Sequence, residues 1–192
     1  PWTAETPKLY DATVSTDTET VTIRIGFRSV AIAGDIITVN GEKIVFRGVN
    51  RHEWHPRTGR TLDEQTMRAD LELMKRHGVN AIRTSHYPPN ARFLDLCDEY
   101  GVWVLLECDL ETHGFERGGW DGNPTNDDRW YDCLLNRIQR TVERDKNHPA
   151  IIGWSMGNES HCGEGIRLMN DFVNNRAQST IPLNEADDDP PI

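Results

Sequence analysis

No apolar run in this chain comes near the about 18 residues that a membrane-spanning helix needs, so a bilayer is not an expected partner. Basic charge is also scarce. Lys and Arg total 21 against 31 acids, a net charge of −10, and such a chain repels phosphate backbones, which excludes nucleic acid from the expected partners. Part of the imbalance is local, because Glu185, Asp187, Asp188 and Asp189 crowd one end. The N-terminus has no basic stretch leading into an apolar one, so no secretory leader is expected there. Cysteine is sparse too: Cys97, Cys108, Cys133 and Cys162 are far apart, with no Cys-x-x-Cys pair. That is not the density of a disulfide scaffold. Cys97 falls on the apolar face of a predicted helix and Cys108 at the end of a predicted buried strand. Buried free thiols and a reducing, cytoplasmic location are therefore expected. No Gly-x-Gly-x-x-Gly follows any apolar run, which weakens a dinucleotide-binding fold.

What is present has a clear order. With 36% hydrophobic and 27% charged residues over a length of 192, the chain suits one globular domain or one and a fraction. Residues 8 to 47 read as β. Leu9 to Val14 and Val21 to Phe27 alternate apolar and polar, and Asn40-Gly41 between Ile36–Val39 and Lys43–Phe46 signals a two-residue hairpin. About 40 residues cannot bury enough surface to fold alone, so this part reads as the end of a sandwich domain.

From residue 44 the pattern becomes strand–helix alternation. Thr61 to Glu64 predicts a capping box, followed by Met67, Leu71 and Met74 on one helical face and Gly78 as the stop. Val79–Ser85 predicts a strand, Ala91 to Tyr100 a second helix ending at Gly101, and Val102 to Cys108 a strand covered on both faces. A third helix from near Asn126 puts Trp130, Leu134, Ile138 and Val142 on one stripe. Ile151 to Met156 predicts the next strand and Glu164 to about Asn175 a fourth helix. This order predicts an α/β fold with a parallel sheet, either doubly wound or a (β/α)8 TIM barrel of which the first four βα units are present. Residues 177 to 192 are expected to be an irregular tail.

In a parallel α/β fold, ligands meet the carboxyl ends of the strands. Those ends carry Asn50 to Pro56 with His52 and His55, then Arg83 to Pro88 with His86, then Glu107 to Gly114 with Glu111 and His113, and finally Asn158-Glu159-Ser160-His161. Four strands thus deliver acids and imidazoles to one rim, which implies a polar pocket. Glu159, following a buried run, reads as a general acid whose pKa is to be raised by neighbours such as Trp154. His86 and His52 read as site residues, although each can also satisfy a turn. Glu111, His113 and Glu159 can converge on a divalent cation, but spacing alone leaves that reading level with a solvated acidic loop. Trp120, between Gly119 and Gly122, reads as an exposed platform for a sugar ring, and Trp130 as core.

Seven segments, in order, make a specific set: Trp2 to Tyr10, Gly26 to Arg28, Arg47 to Glu53, Asn80 to Pro88, Glu111 to Gly114, Asp145 to Pro149 and Gly157 to Ser160. Together they resemble glycoside hydrolase family 2, and within it the lac-type β-galactosidase branch. Glu111-Thr-His-Gly114 favours that branch over the related glucuronidases and mannosidases. The resemblance implies that residues 1 to 34 finish an immunoglobulin-like domain and that the catalytic barrel occupies residues 35 to 176. It implies Glu159 as acid/base, Asn158 on the sugar's 2-hydroxyl, His52 and His86 on the galactosyl group, and Arg83 ordering the pocket. It further implies Mg²⁺ held by Glu111, His113 and Glu159, a Na⁺ in the intact enzyme, a small-molecule β-galactoside as substrate, and a homo-oligomer at full length. Leu106 departs from the family pattern, which has an acid there. Ala186 to Ile192 resembles no part of the family, and the strand after Ala177 is expected to be missing. The nucleophilic carboxylate of a retaining mechanism is expected beyond residue 192, which makes this chain inactive alone.

Overall fold

The computed structural model describes residues 1–177 and 180–183. The N-terminal part forms a hairpin of β1 (Tyr10–Ser15) and β2 (Thr20–Ile25), then a small antiparallel sheet of β3 (Val30–Ala33), β4 (Ile36–Val39) and β5 (Glu42–Lys43). The Asn40-Gly41 turn sits where the sequence puts it. Both residues take positive φ, 52° and 85°, as a type I′ connection requires. The division expected between residues 34 and 35 falls in the turn of the β3–β4 hairpin, whose two strands are hydrogen-bonded to each other.

The remainder alternates strictly: β6 (Gly48–Arg51), α1 (Glu64–Arg76), β7 (Ala81–Thr84), α2 (Ala91–Tyr100), β8 (Trp103–Glu107), α3 (Asp128–Asp145), β9 (Ile151–Ser155), α4 (Glu164–Arg176) and β10 (Ile181–Leu183). The strands make one parallel five-stranded sheet in sequential order, which is the wall of a (β/α)-barrel rather than a doubly wound sheet. β10 corrects the expected irregular tail. Its three residues pair in register with Gly153 to Ser155, and residues from 184 onward lie outside the described part. The register aligns Asn50, Arg83, Leu105 and Gly153 in one row on the inner face. The alternate row, Ile82, Val104, Leu106 and Trp154, is buried in a continuous core with Met67, Leu71, Phe93, Leu94, Leu134, Ile138, Val142 and Met169 of the helices. Leu106 lies in that buried row, where an unpaired carboxylate would cost several kcal/mol.

Two helix details differ from expectation. The cap of α1 is Asp63, which accepts from the Thr66 N–H at 2.8 Å, rather than Thr61. Its negative charge also suits the positive end of the helix. Trp130 is 46% exposed, so the core stripe of α3 begins at Leu134.

The N-terminal segment docks where the barrel strands begin. Trp2 is fully buried, donates from Nε1 to the Asp98 carbonyl at 2.9 Å and meets Trp103 edge-on at 4.9 Å. Arg28 donates to the Pro149 carbonyl at 2.9 Å, and burial pushes its guanidinium down to about 10 against the opposing charge of Asp98. Asp98 accepts from the Ala150 N–H at 2.9 Å and pairs with His148 Nδ1 at 2.6 Å. Gly101, at φ +71°, lies so close that an added Cβ would stand 2.3 Å from the Ala4 carbonyl oxygen.

Of the four free thiols, Cys97 and Cys108 are buried as expected, and burial pushes Cys108 up to about 12, a neutral, inert thiol. Cys133 and Cys162 are exposed, correcting that part of the expectation. Among the described residues no helix is long and apolar enough to cross a membrane.

Candidate active site

The carboxyl ends of β6 to β9 bring all seven sequence-predicted site residues into one connected set. After β6, His52 stands exposed with its ring edge-on to His86 at 5.1 Å. After β7, His86 turns its Nδ1 toward Glu107 Oε1 at 2.7 Å. Arg83, on the inner face of β7, donates from Nε to Glu107 Oε2 at 2.5 Å and from Nη2 to Asn158 Oδ1 at 2.9 Å. The Asn158 amide donates in turn to Glu111 Oε2, and its backbone N–H donates to the Leu110 carbonyl at 2.9 Å. The rim after β8 and the rim after β9 are thereby tied together. His113 Nδ1 pairs closely with Glu159, and its Nε2 lies 2.8 Å from Glu116. The hydrogen bond and charge of Glu159, with the further acids Glu116 and Glu111, hold the His113 imidazole above its usual pKa.

Glu159 occupies a backbone position that L residues rarely take, φ +43°, and His161 and Trp120 take +55° and +67°. The Ser160 carbonyl between them anchors the loop. It accepts from Thr112 Oγ1 at 2.9 Å, Asn123 Nδ2 at 2.9 Å and Thr125 Oγ1 at 3.4 Å. The Glu159 side chain is left 55% exposed at the rim. Trp154 does not line this pocket. It is fully buried on the outer face of β9 and donates from Nε1 to Thr180 Oγ1 at 2.7 Å, which corrects its expected place beside Glu159. Trp120 is half-buried, with its ring stacked on His161 at 4.9 Å and 13°, rather than an open platform. His55 belongs to a local turn closed by hydrogen bonds with Gly59.

The donor atoms of Glu111, His113 and Glu159 all lie within 4.8 Å of one another. Two carboxylates and an imidazole on an exposed rim fit a divalent cation such as Mg²⁺, which takes oxygen ligands at about 2.0–2.1 Å and keeps several waters. The carboxylates of Glu111 and Glu159 are thus near neighbours. Glu111 also accepts from the Asn158 amide.

Sequence reasoning missed the role of Glu107. It is an acid closing a buried apolar run, and nothing in the run says that Arg83, His86 and Ser155 all converge on it. It also missed the clamp of Thr112, Asn123 and Thr125, which has no spacing signature.

A parallel sheet that brings acids, imidazoles and an arginine to the carboxyl ends of its strands defines a (β/α)-barrel domain with a polar rim site. The chain belongs to the glycosyl hydrolases family 2, TIM barrel domain, whose family model matches residues 30–184. It is 59% identical over 169 residues to a β-galactosidase of Arthrobacter sp. (strain B7), covering 88% of this chain and 17% of that protein. It is 44% identical over 183 residues to a β-galactosidase of Streptococcus thermophilus, covering 90% of this chain and 18% of that one. The chain therefore spans under a fifth of the length of these curated relatives. Among solved structures, a GH2 β-galacturonidase from Eisenbergiella tayi bound to galacturonate superposes with a TM-score of 0.80 at 28% identity, over 95% of this chain and 33% of that one. A β-glucuronidase from an uncultured Clostridium sp. shares the fold with a TM-score of 0.86 at 22% identity, over 97% of this chain and 33% of that one.

Proposed function

We propose that the protein carrying this chain is a retaining glycoside hydrolase that cleaves terminal non-reducing β-D-galactosides such as lactose, with Glu159 as its acid/base. The observation that carries the reading is the placing of Glu159 on a clamped, positive-φ loop beside Asn158 and Glu111, in a chain 59% identical to a β-galactosidase. Exposed at the rim, Glu159 protonates the leaving oxygen and then takes a proton from the attacking water. Asn158 has its amide orientation set by Arg83 on one side and Glu111 on the other, and its second amide hydrogen serves the sugar's 2-hydroxyl. His52 and His86 contact the galactosyl group. The second carboxylate, the nucleophile, comes from a later strand of the longer protein. Glu111, His113 and Glu159 would hold Mg²⁺, which when bound would supply positive charge that orders the three side chains at the rim. A Na⁺ in the intact enzyme has no ligand set assigned among the described residues. A homo-oligomer and a cytoplasmic location belong to the same proposal, the latter supported by four free thiols.

A β-glucuronidase reading draws on the solved structures of that name. Identity to the solved glucuronidases and galacturonidases quoted is 22–28%, against 44–59% to the β-galactosidases, so a galactoside stands first. The deciding assay compares kcat/KM of the full protein on p-nitrophenyl β-D-galactoside and β-D-glucuronide. The galactoside is expected to be preferred by about 100-fold or more, and Glu159→Gln to lower kcat on the galactoside by about 10²–10⁴-fold. A preference for the glucuronide overturns the substrate assignment. No turnover of either favours a non-catalytic half-barrel that assembles with a partner chain.

A further inference from the structure

Glu107 ends β8, shares the inner face with Leu105, two residues earlier, and is fully buried. An ionised carboxylate in that position costs several kcal/mol unless donors surround it. Three side chains do so, one on β7, one just after it and one on β9. Arg83 Nε donates to Oε2 at 2.5 Å, Ser155 Oγ to Oε2 at 2.8 Å, and His86 Nδ1 faces Oε1 at 2.7 Å. The backbone N–H of Glu107 donates to Thr84 Oγ1 at 2.9 Å, which holds the end of the strand still. Two of the three donors lead directly into the rim site. Arg83 continues to Asn158, and the His86 ring meets His52.

We propose that Glu107 is the positioning residue of this site: one buried carboxylate that fixes His86 with its proton on Nδ1 and its Nε2 toward the sugar, and that locks Arg83 against Asn158. The proposal deepens the glycosidase reading and rests on it for the identity of the sugar. An ionised carboxylate has acceptors only, so an imidazole nitrogen 2.7 Å away must carry the hydrogen. That leaves the other ring nitrogen defined, as partners behind metal-bound histidines define it. Glutamine of the same size cannot do this. It offers one acceptor oxygen and an NH₂ donor to three donors, so either His86 reverses its tautomer or the Arg83 link breaks. A merely structural buried charge would lower stability when removed, yet would leave the proton on His86 and its coupling to turnover unchanged.

Two measurements on the full-length protein decide this. Neutron diffraction from crystals exchanged into D₂O is expected to show deuterium on His86 Nδ1, directed at Glu107. A bare Nδ1 overturns the proposal, whether or not any variant folds. Glu107→Gln is expected to lower kcat/KM on a β-galactoside by about 10- to 100-fold, carried by kcat, with KM changed by no more than about threefold. Its effect is expected to shrink several-fold when it is introduced into His86→Ala, because the two residues act as one unit. Losses that simply multiply, or a Glu107→Gln variant with wild-type kcat/KM, overturn it. A wild-type protein that turns over no β-galactoside sinks the functional reading instead, and the neutron result still decides the positioning.

Discussion

At Glu159 the backbone is held at φ +43° and at His161 at +55°. Left-handed conformations at non-glycine residues cost about 1–3 kcal/mol each and persist where surroundings over-determine them. Here the surroundings are three donors on the Ser160 carbonyl and the bridge from the Asn158 N–H to Leu110. Gly157 makes that bridge possible. A Cβ added there would stand 2.8 Å from the Leu110 carbonyl oxygen and 2.9 Å from its Cβ. Gly157→Ala is therefore expected to cost about 1–3 kcal/mol through overpacking, read as a lower thermal midpoint, and to reduce kcat/KM by displacing Asn158 and Glu159. Unchanged values of both would show that the approach is not needed. Glu159, Asn158 and His86 were legible in the sequence because each follows a recognisable apolar run at a strand end. Glu107 was not, since an acid closing such a run looks the same whether it faces water or holds a network. Helical periodicity places Trp130 on the stripe, but that stripe is buried only from Leu134 onward, and the glycines beside Trp120 give no sign that its ring stacks on His161.

The alternating elements were the most legible feature, because near-continuous apolar runs and period-3.6 stripes have different physical requirements. α2 matches its sequence bounds at Ala91 and Tyr100, being closed at both ends by Asn90 and a positive-φ Gly101. β10 escaped notice because three residues, one of them Pro182, carry no periodicity. Only its pairing with β9 defines it. The N-terminal segment's dock depends on an ion pair whose pH behaviour follows from its environment. Burial pushes the Asp98 carboxyl up. Burial alone would lower His148, but its hydrogen bond to Asp98 and the charges of Asp98, Asp145 and Asp95 outweigh this and raise it. A histidine whose folded pKa is raised contributes stability in full below its unfolded value of about 6.5 and loses it as pH climbs through the folded value. The thermal midpoint of the protein is therefore expected to fall as pH rises above about 6.5, and His148→Gln to flatten that fall. Parallel pH profiles for the two proteins would contradict the assignment.

At the scale of the whole molecule, the five-stranded wall is a barrel part-built. Its inner face carries an open cavity of about 390 Å³ lined by Ile37, Phe46, Val49, Ala81, Trp103 and Ile152. A complete barrel fills that space with side chains from its remaining strands. The family and the half-barrel were legible because ordered motifs survive in a piece of a protein. The nucleophile of the proposed mechanism was not, because no recognised motif assigns that role. The 192-residue chain alone is accordingly expected to release no p-nitrophenol from a β-galactoside. Turnover that Glu159→Gln abolishes in that chain would mean its own carboxylates suffice.

The central claim, that Glu159 is the acid/base of a retaining galactosidase, is tested most directly by chemical rescue. Glu159→Ala in the full-length protein, given a galactoside whose activated leaving group needs no protonation, should form the glycosyl-enzyme and then stall for want of a base. Azide, which needs no base, should restore turnover and release β-galactosyl azide with the substrate's anomeric configuration retained. No rescue, or an azide of inverted configuration, would contradict the account.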